Sequence, residues 1–355
     1  MKHLRKFLAL CLTLALVLSL AACAQKPSED PDAGETPDIP VEEGASAHFR
    51  VAALKGPTAM GLVKLMKDND ETVSALLDSS KPYEGEVGNL YTFTLAGSAD
   101  EVTPALIKGE LDMACVPANL AAVLYNKTGG AVQVLAVNTL GVLYIVENGE
   151  SVKSLADLRG KTVVAAGKGS TPEYALRYLL SENGIDPDAD VTLDWKSEHS
   201  ECVAALASGQ ASIALLPQPF VTVAQSQVEG LRVALDMSAE WDALDNGSRL
   251  ITSVLVARKA FADEHPAALA AFLEDYAAST DYANEHPAEA AVLVEKYGIV
   301  KAAVAEKALP QCNLVCITGV DMKVAVGGYL QTLYDLKTEA VGGAMPGDGF
   351  YWMGA

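Results

Sequence analysis

The sequence is poor in positive charge: 26 Lys and Arg residues face 46 Asp and Glu, for a formal net charge of −20. Binding to nucleic acid or to an anionic lipid surface requires a basic footprint, so this balance argues against both as partners. The sequence also lacks a P-loop, an HExxH motif, a G-x-S-x-G elbow and a complete GxGxxG, because Gly167-Lys168-Gly169 has no third glycine. The five histidines are scattered. We therefore expect no enzyme, no bound metal and no cofactor.

Cysteine is scarce as well, with six residues in the chain. The four cysteines in its folded part match no disulfide framework and form no CxxC pair, which favours buried thiols. Cys312 and Cys316 have no nearby histidine and make a poor metal site. A disulfide between these two is the alternative. The other two cysteines of the folded part are Cys115 and Cys202.

The N-terminus carries an export signal. Basic residues at 2, 5 and 6 precede an apolar run over 7–20, which is typical of a secretory signal peptide, here residues 1–22. As a helix that run would span about 21 Å, short of the ~30 Å hydrocarbon core of a membrane. Leu20-Ala21-Ala22-Cys23 resembles a bacterial lipobox, which predicts that Cys23 is lipidated and anchors the protein to the outer face of the cell membrane.

Residues 23–47 are rich in Pro, Asp and Glu and contain no aromatic residue. Such a segment buries too little apolar surface to offset the entropy of ordering it. We expect it to be a disordered acidic tether that follows the lipidated cysteine.

From residue 48 onward, short β-like runs alternate with amphipathic helices. This order predicts an α/β fold with doubly wound, mainly parallel sheets flanked by helices. Ser98 to Glu101 and Thr171-Pro172 are helix-start signals, the second with Thr171 as the cap. Thr58 is the expected cap of the first helix. The remaining length suggests two domains.

Three turns share one pattern, in which a strand is followed by small or hydroxylated residues and then by a helix. In open α/β sheets, ligands bind beyond the carboxyl ends of the strands, where helix N-termini offer free N–H groups. Simple helix capping explains any single turn, but three of them favour a donor-rich cleft between two lobes. The turns are Gly56-Pro57-Thr58, Pro117-Ala118-Asn119 and Gly169-Ser170-Thr171.

Several segments resemble the type II periplasmic binding proteins, in the group of ABC importer proteins for nitrate, sulfonates, taurine and thiamine-precursor pyrimidines. The resemblance extends along the chain from Phe49. It rests on residues 51–58, 108–114, 154–161, 169–172 and 214–220.

The resemblance implies a monomeric two-lobed protein, with lobe one over 48–140 and 251–355 and lobe two over 141–250. It also implies ABC permease and ATPase subunits as partners, which would recognise the closed form. Related sequences usually have Pro-Glu-Pro where this chain has Gln218 between two prolines. If this position faces the cleft, a neutral amide in place of a carboxylate disfavours a cationic solute.

The leading hypothesis is capture of a small polar or anionic solute, such as a sulfonate, nitrate or carboxylate. A pyrimidine or related heterocycle is the alternative and would need an aromatic partner, for which Tyr144, Tyr174 and Trp195 are candidates. A ligand-sensing lipoprotein or an enzyme on the same fold is the alternative of another class. The candidate ligand-binding residues are Gly56, Pro57, Thr58, Asn119, Thr139, Tyr144, Gly169, Ser170, Thr171, Tyr174 and Gln218.

Overall fold

The computed structural model describes residues 46–80, 83, 85 and 87–354. The predicted signal peptide, Cys23 and the predicted tether up to residue 45 lie outside the described residues. Ala47 is already buried, and its N–H donates to the Asn89 side chain over 3.0 Å. The ordered part of the chain therefore includes this residue.

One lobe is built on a six-stranded sheet, here sheet A, with the order β11-β4-β10-β3-β1-β2. Strands β1, β2 and β3 pair in parallel, whereas β10 runs antiparallel to both of its neighbours and β11 runs antiparallel to β4. Its strands are β1 (His48–Leu54), β2 (Leu90–Ala96), β3 (Met113–Pro117), β4 (Val132–Leu140), β10 (Ile251–Arg258) and β11 (Leu314–Ile317).

The other lobe is built on a five-stranded sheet, sheet B, with the order β7-β6-β8-β5-β9. Strand β6 is parallel to β7 and β8, and β5 is antiparallel to β8 and β9. Its strands are β5 (Leu143–Asn148), β6 (Thr162–Ala166), β7 (Thr192–Lys196), β8 (Ile213–Pro217) and β9 (Leu231–Asp236).

The predicted class, a two-lobed α/β fold with helix-flanked sheets, is confirmed, with one addition. The chain passes from sheet A to sheet B between β4 and β5, and returns as β10. The strand that follows each crossing runs opposite to the neighbouring strands that βα units connect. Both β5 and β10 are therefore antiparallel to their neighbours, and β11 is a second antiparallel strand at the edge of sheet A.

Helices cover both sheets. Those before the return to sheet A are α1 (Pro57–Met60), α2 (Val63–Leu77), α3 (Ala99–Lys108), α4 (Ala118–Lys127), α5 (Thr171–Glu182), α6 (His199–Ala207), α7 (Phe220–Gln227) and α8 (Met237–Asp242). Those after it are α9 (Lys259–Glu264), α10 (Pro266–Glu285), α11 (Pro287–Lys296), α12 (Ala302–Ala308) and α13 (Gly319–Leu336). Short 3-10 turns occupy Leu155–Leu158, Leu309–Gln311, Thr338–Val341 and Asp348–Phe350.

Helix starts follow the local signals closely. The capping box from Ser98 to Glu101 is present, and a second one joins Ser154 to Asp157. Pro266 and Pro287 each occupy the first turn of their helix, where the missing proline N–H costs no hydrogen bond. These signals depend on a few adjacent residues, so the sequence alone reveals them.

Each sheet contains a buried carboxylate that joins strands. Asp112, just before β3, accepts hydrogen bonds from Arg50 on β1 and from Arg258 at the end of β10. Glu147 on β5 accepts from Arg232 on β9 and from the backbone of Ser151 and Val152. A buried charge is tolerated when it is paired and fully hydrogen-bonded, so these contacts hold neighbouring strands together.

Candidate functional site

The two lobes meet where α4 and α5 begin. Asn119, fully buried near the start of α4, donates from Nδ2 to the carbonyls of Gly169 at 3.3 Å and Ala340 at 3.1 Å. The hydroxyl of Thr171 lies 3.5 Å from the Asn119 side-chain oxygen and 3.3 Å from the carbonyl of Thr252 on β10. Three of the predicted residues, Asn119, Gly169 and Thr171, therefore come together between the lobes.

The turn before α5 is shaped by its own residues. Gly169 has a φ of 77°, a conformation that glycine adopts without steric cost. Its N–H donates to Glu173 over 2.6 Å, which ties the turn to the first turn of α5. The prediction that Thr171 is the cap is wrong by one position, because Ser170 is the N-cap and Thr171 is the first helical residue. The Thr171 hydroxyl is thereby turned toward β10.

The predicted cap at Thr58 is also wrong. The N-cap of α1 is Gly56, and Pro57 is the first helical residue. The Thr58 hydroxyl donates to the Leu54 carbonyl over 2.7 Å and accepts from the Leu54 N–H over 3.1 Å. The Thr58 side chain thus bonds the backbone at the end of β1 and does not cap α1.

Three buried hydroxyls near this junction make no hydrogen bond within the described residues: Thr139 Oγ1, Thr252 Oγ1 and Tyr329 OH, here called the seam hydroxyls. Thr139, at the end of β4, pairs with Ser253, the residue after Thr252 on β10. Tyr329 on α13 lies beside Thr171; burial raises the pKa of its phenol, and the Thr171 hydroxyl lowers it in part. Native proteins satisfy most buried polar groups, so the seam hydroxyls are candidates for contact with a bound solute.

Gln218 lies at a second contact between the lobes. It is fully buried after β8, and its Nε2 donates to Oε1 of Gln311 over 2.8 Å. Its own Oε1 accepts from the Thr222 hydroxyl over 2.9 Å. Gln311 belongs to the 3-10 turn before β11, so this amide pair joins the loop after β8 to the sheet A lobe.

The aromatic candidates lie on three separate elements. Tyr144 is on β5, where burial first, then the nearby Asp236 and Cys312, raise its pKa to about 12. Tyr174 is half-buried on α5, and Trp195 is half-buried on β7. Within the described residues, no two of these three rings stack on each other, so they do not form one stacking platform.

The four cysteines of the described residues are free thiols, as predicted. Burial raises the pKa of Cys115, Cys202 and Cys312 to about 12 each and that of Cys316 to about 11. Within the described residues, no cluster of three or more His, Cys, Asp or Glu side chains could hold a metal ion.

Sequence reasoning missed Thr252, Tyr329 and Asn138. Thr252 and Tyr329 reach the junction only through the tertiary fold, and neither belongs to a helix-start pattern. Asn138 is 1% exposed, and neither atom of its amide makes a hydrogen bond within the described residues. A signal for Asn138 did exist, because the pair Asn138-Thr139 interrupts the apolar run of β4.

Comparison with known proteins gives the family. The model of the phosphonate periplasmic substrate-binding proteins of ABC transporters matches residues 84–308. A binding protein of Brucella abortus is 28% identical over 146 residues, which cover 41% of this chain and 43% of that protein. The chain thus spans less than half the length of the curated relatives it matches.

Solved structures agree on the fold. An ABC transporter protein from Parabacteroides distasonis superposes with a TM-score of 0.68 and 24% identity, over 86% of this chain and 98% of that one. The periplasmic aliphatic sulphonate binding protein SsuA from Escherichia coli gives a TM-score of 0.66 and 19% identity, over 87% and 92%. At these identities the likeness concerns the fold alone.

Because the family model matches more than half of the chain, the chain belongs to the periplasmic substrate-binding proteins of ABC transporters. This confirms the resemblance to type II periplasmic binding proteins. It also confirms that the chain is a binding protein and not an enzyme. No helix among the described residues is both long enough and apolar enough to cross a membrane.

Proposed function

We propose that this chain is the extracytoplasmic, lipid-anchored solute-binding protein of an ABC importer, and that it captures a small oxyanion between its lobes. Sulfonate, phosphonate, nitrate and carboxylate groups share the chemistry required, since their oxygens accept hydrogen bonds and carry negative charge. Lobe one would comprise 48–140 and 251–355, and lobe two 141–250. Family membership supports the importer role, and the junction of α4, α5 and β10 supports the oxyanion.

The observation that carries the proposal is the group of seam hydroxyls. A buried polar group without a partner costs about 1–3 kcal/mol. Thr139, Thr252 and Tyr329 therefore each represent such a cost, which an acceptor bound beside them would remove. An oxyanion supplies several acceptor oxygens at one point, and the N-terminal end of α5 beside it favours negative charge.

The proposed solute would act by bridging the lobes. Thr139 and Thr252 belong to sheet A, whereas Thr171 opens α5 over sheet B. A ligand shifts a conformational equilibrium only through contacts that differ between the two states. A solute held by groups of both lobes loses the contacts of one lobe when the lobes separate, so it would favour the closed form that the permease subunits recognise.

The test is a pair of isosteric substitutions that remove hydroxyls and keep volume. We expect Thr139→Val with Thr252→Val to weaken solute binding at least tenfold in isothermal titration calorimetry. Because each loses an unpartnered buried hydroxyl, the variant should melt no lower than the wild type. Thr94→Val, an exposed position on β2, is the matched control and should bind normally.

The solute is identified first, by thermal shift of the soluble form from residue 24. Solute at 100 times its dissociation constant stabilises the fold by about 2.7 kcal/mol. The panel contains methylphosphonate, an alkanesulfonate, nitrate, a carboxylate and a pyrimidine. Stabilisation by the pyrimidine alone would refute the oxyanion and support the alternative solute. Unchanged affinity in the double valine variant would refute the placement of the site.

The anchor has its own test. Lipidation of Cys23 predicts that the full-length protein, expressed in bacteria, partitions into a Triton X-114 detergent phase. Cys23→Ala should move it to the aqueous phase, because two acyl chains are needed for stable anchoring. Detergent partitioning that survives the substitution would argue against lipidation.

A further inference from the structure

A separate depression of about 770 Å³ lies on the outer side of α5. Its lining includes Lys168 from the turn before α5, with Tyr174 and Arg177 from that helix. Leu336 and Lys337, where α13 ends, also line it. Gly169 is shared with the junction, but Asn119, Thr171 and the seam hydroxyls are not among the lining residues, so most of the depression lies outside the site proposed above. The two sets of lining residues belong to different lobes.

The carboxylates in this depression are already occupied. Glu173 accepts the Gly169 N–H with one oxygen, and with the other it accepts from Arg177 Nε over 2.8 Å. Asp188 accepts from Arg177 Nη1 over 2.9 Å. Because these acceptors are saturated or paired, they offer little to a cation.

Several donors of the lining remain free, although Arg177 already pairs with both carboxylates through Nε and Nη1. Lys168 and Lys337 form no ion pair within the part of the chain that the structure describes. Over the same residues, Arg177 Nη2 and the Tyr174 hydroxyl make no hydrogen bond. The lining therefore carries three cations against two carboxylates, on a chain whose formal net charge is −20. Glu339 adds one opposing charge beside the depression. Burial raises the pKa of Tyr174 most, followed by Glu173 and then by Glu339, which is therefore nearby.

We propose that this depression is a second anion site, which takes an oxyanion group between Lys168, Arg177 and Lys337. Guanidinium and ammonium groups are the usual partners of phosphate and carboxylate oxygens, and charge-assisted hydrogen bonds are the stronger ones. Lys168 and Lys337 come from different lobes, so an anion bound by both would link the lobes. An anion bound here is consequently coupled to any solute that also depends on the relative position of the lobes.

The probes are inorganic phosphate and succinate, each titrated at constant ionic strength into the soluble form from residue 24 without the transported solute. The variant Lys168→Ala with Lys337→Ala removes both exposed ammonium groups. Its matched control is Lys127→Ala with Lys307→Ala, two exposed lysines that form no ion pair within the described residues. All four positions are exposed, so circular dichroism and melting should match the wild type.

We expect saturable binding of at least one probe to the wild type, a loss of fivefold or more in the Lys168/Lys337 variant, and no change in the control. The probe that binds more tightly distinguishes a compact phosphate group from an extended dicarboxylate. Equal affinity in both variants, an equal loss in both, or no saturable binding to the wild type would overturn the proposal. The valine variants of Thr139 and Thr252 test the transported solute independently, so the two proposals can fail separately.

Discussion

Removal of the Asp112 carboxylate should cost substantial stability. Its side chain is 3% exposed, and Arg50 donates to it from Nε over 2.8 Å and from Nη2 over 2.6 Å. The Arg50 backbone N–H adds a contact of 3.0 Å, and Arg258 Nη2 adds one of 2.8 Å. One carboxylate thus joins β1 and β10 at the start of β3.

The substitution Asp112→Asn removes the charge and turns one of the two acceptor oxygens into a donor. Breaking a buried pair costs about 3–5 kcal/mol, because the partner charges remain without compensation. Arg50 and Arg258 are 40% and 26% exposed, so water can recover part of that loss. We therefore expect a destabilisation of about 3 kcal/mol, measured as a shift in the urea midpoint of the soluble form.

Acid titration gives a second readout of the same residue. Burial alone would raise the pKa of Asp112, but hydrogen bonds from Arg50 and Arg258 outweigh burial and lower the pKa. A depressed carboxyl pKa stabilises the fold above the unfolded value, which is about 3.9, and this contribution disappears as pH falls through the folded value. The gap between wild type and variant should thus be full at pH 7 and should close below about pH 4.

The control is Glu110→Gln, two residues away. Glu110 is 63% exposed and lies 3.9 Å from Lys108, so its loss should cost under about 0.5 kcal/mol. A destabilisation of Asp112→Asn below about 1 kcal/mol, or one equal to that of the control, would refute the reasoning.

Three further predictions concern single groups. Burial lowers the pKa of His199 to about 4, so stability present above the unfolded pKa of about 6.5 should fall by about 2 kcal/mol between pH 7.5 and 5. Melting curves of His199→Leu should lack this dependence, and an unchanged slope would exclude His199 as its cause. A Cβ added at Gly141 would collide with the hydroxyl of Ser238. Gly141→Ala should therefore lose about 1–3 kcal/mol in thermal melts, and Ser238→Ala in the same chain should restore part of it; no recovery would contradict the collision. The thiols should react slowly with Ellman's reagent at pH 8 in the native protein, because burial raises the pKa of Cys115, Cys202, Cys312 and Cys316. Half-buried Cys316 should react first, and the three buried thiols should react only on unfolding. Rapid labelling of Cys115 in the native protein would contradict this.

Local signals account for what could be predicted from the sequence. The capping box at Ser98 and the proline starts at Pro266 and Pro287 depend on neighbours in the chain, and the helices begin where expected. The predicted caps at Thr58 and Thr171 are wrong because more than one residue of each turn could serve as the cap, and the observed caps are Gly56 and Ser170. Contacts with Leu54 and with Thr252 decide between them, and the sequence contains no record of those contacts.

Part of the site required the fold. Asn119, Gly169 and Thr171 were found because each stands at a strand-to-helix turn, and turns of this kind gather at one edge of a sheet. Tyr329 lies within α13, and Thr252 lies within the strand that returns from sheet B. Their positions depend on how the chain crosses between lobes, which short-range periodicity does not describe.

Contacts within the lobes differ in kind from contacts between them. Inside each sheet, strands are joined by buried carboxylates with arginine, as at Asp112 and Glu147, and hydrogen bonds to charged groups contribute about 1.5–3 kcal/mol. Between the lobes, Asn119 meets Gly169, Thr171 meets Thr252 and Gln218 meets Gln311, all neutral pairs. Neutral pairs contribute about 0.5–1.5 kcal/mol each, so these three together amount to about 3 kcal/mol.

A solute that binds both lobes needs a differential affinity of about 5.5 kcal/mol to move an equilibrium from 1:99 to 99:1. A solute held by both lobes adds its contacts to the neutral pairs between them, so it would favour the closed form.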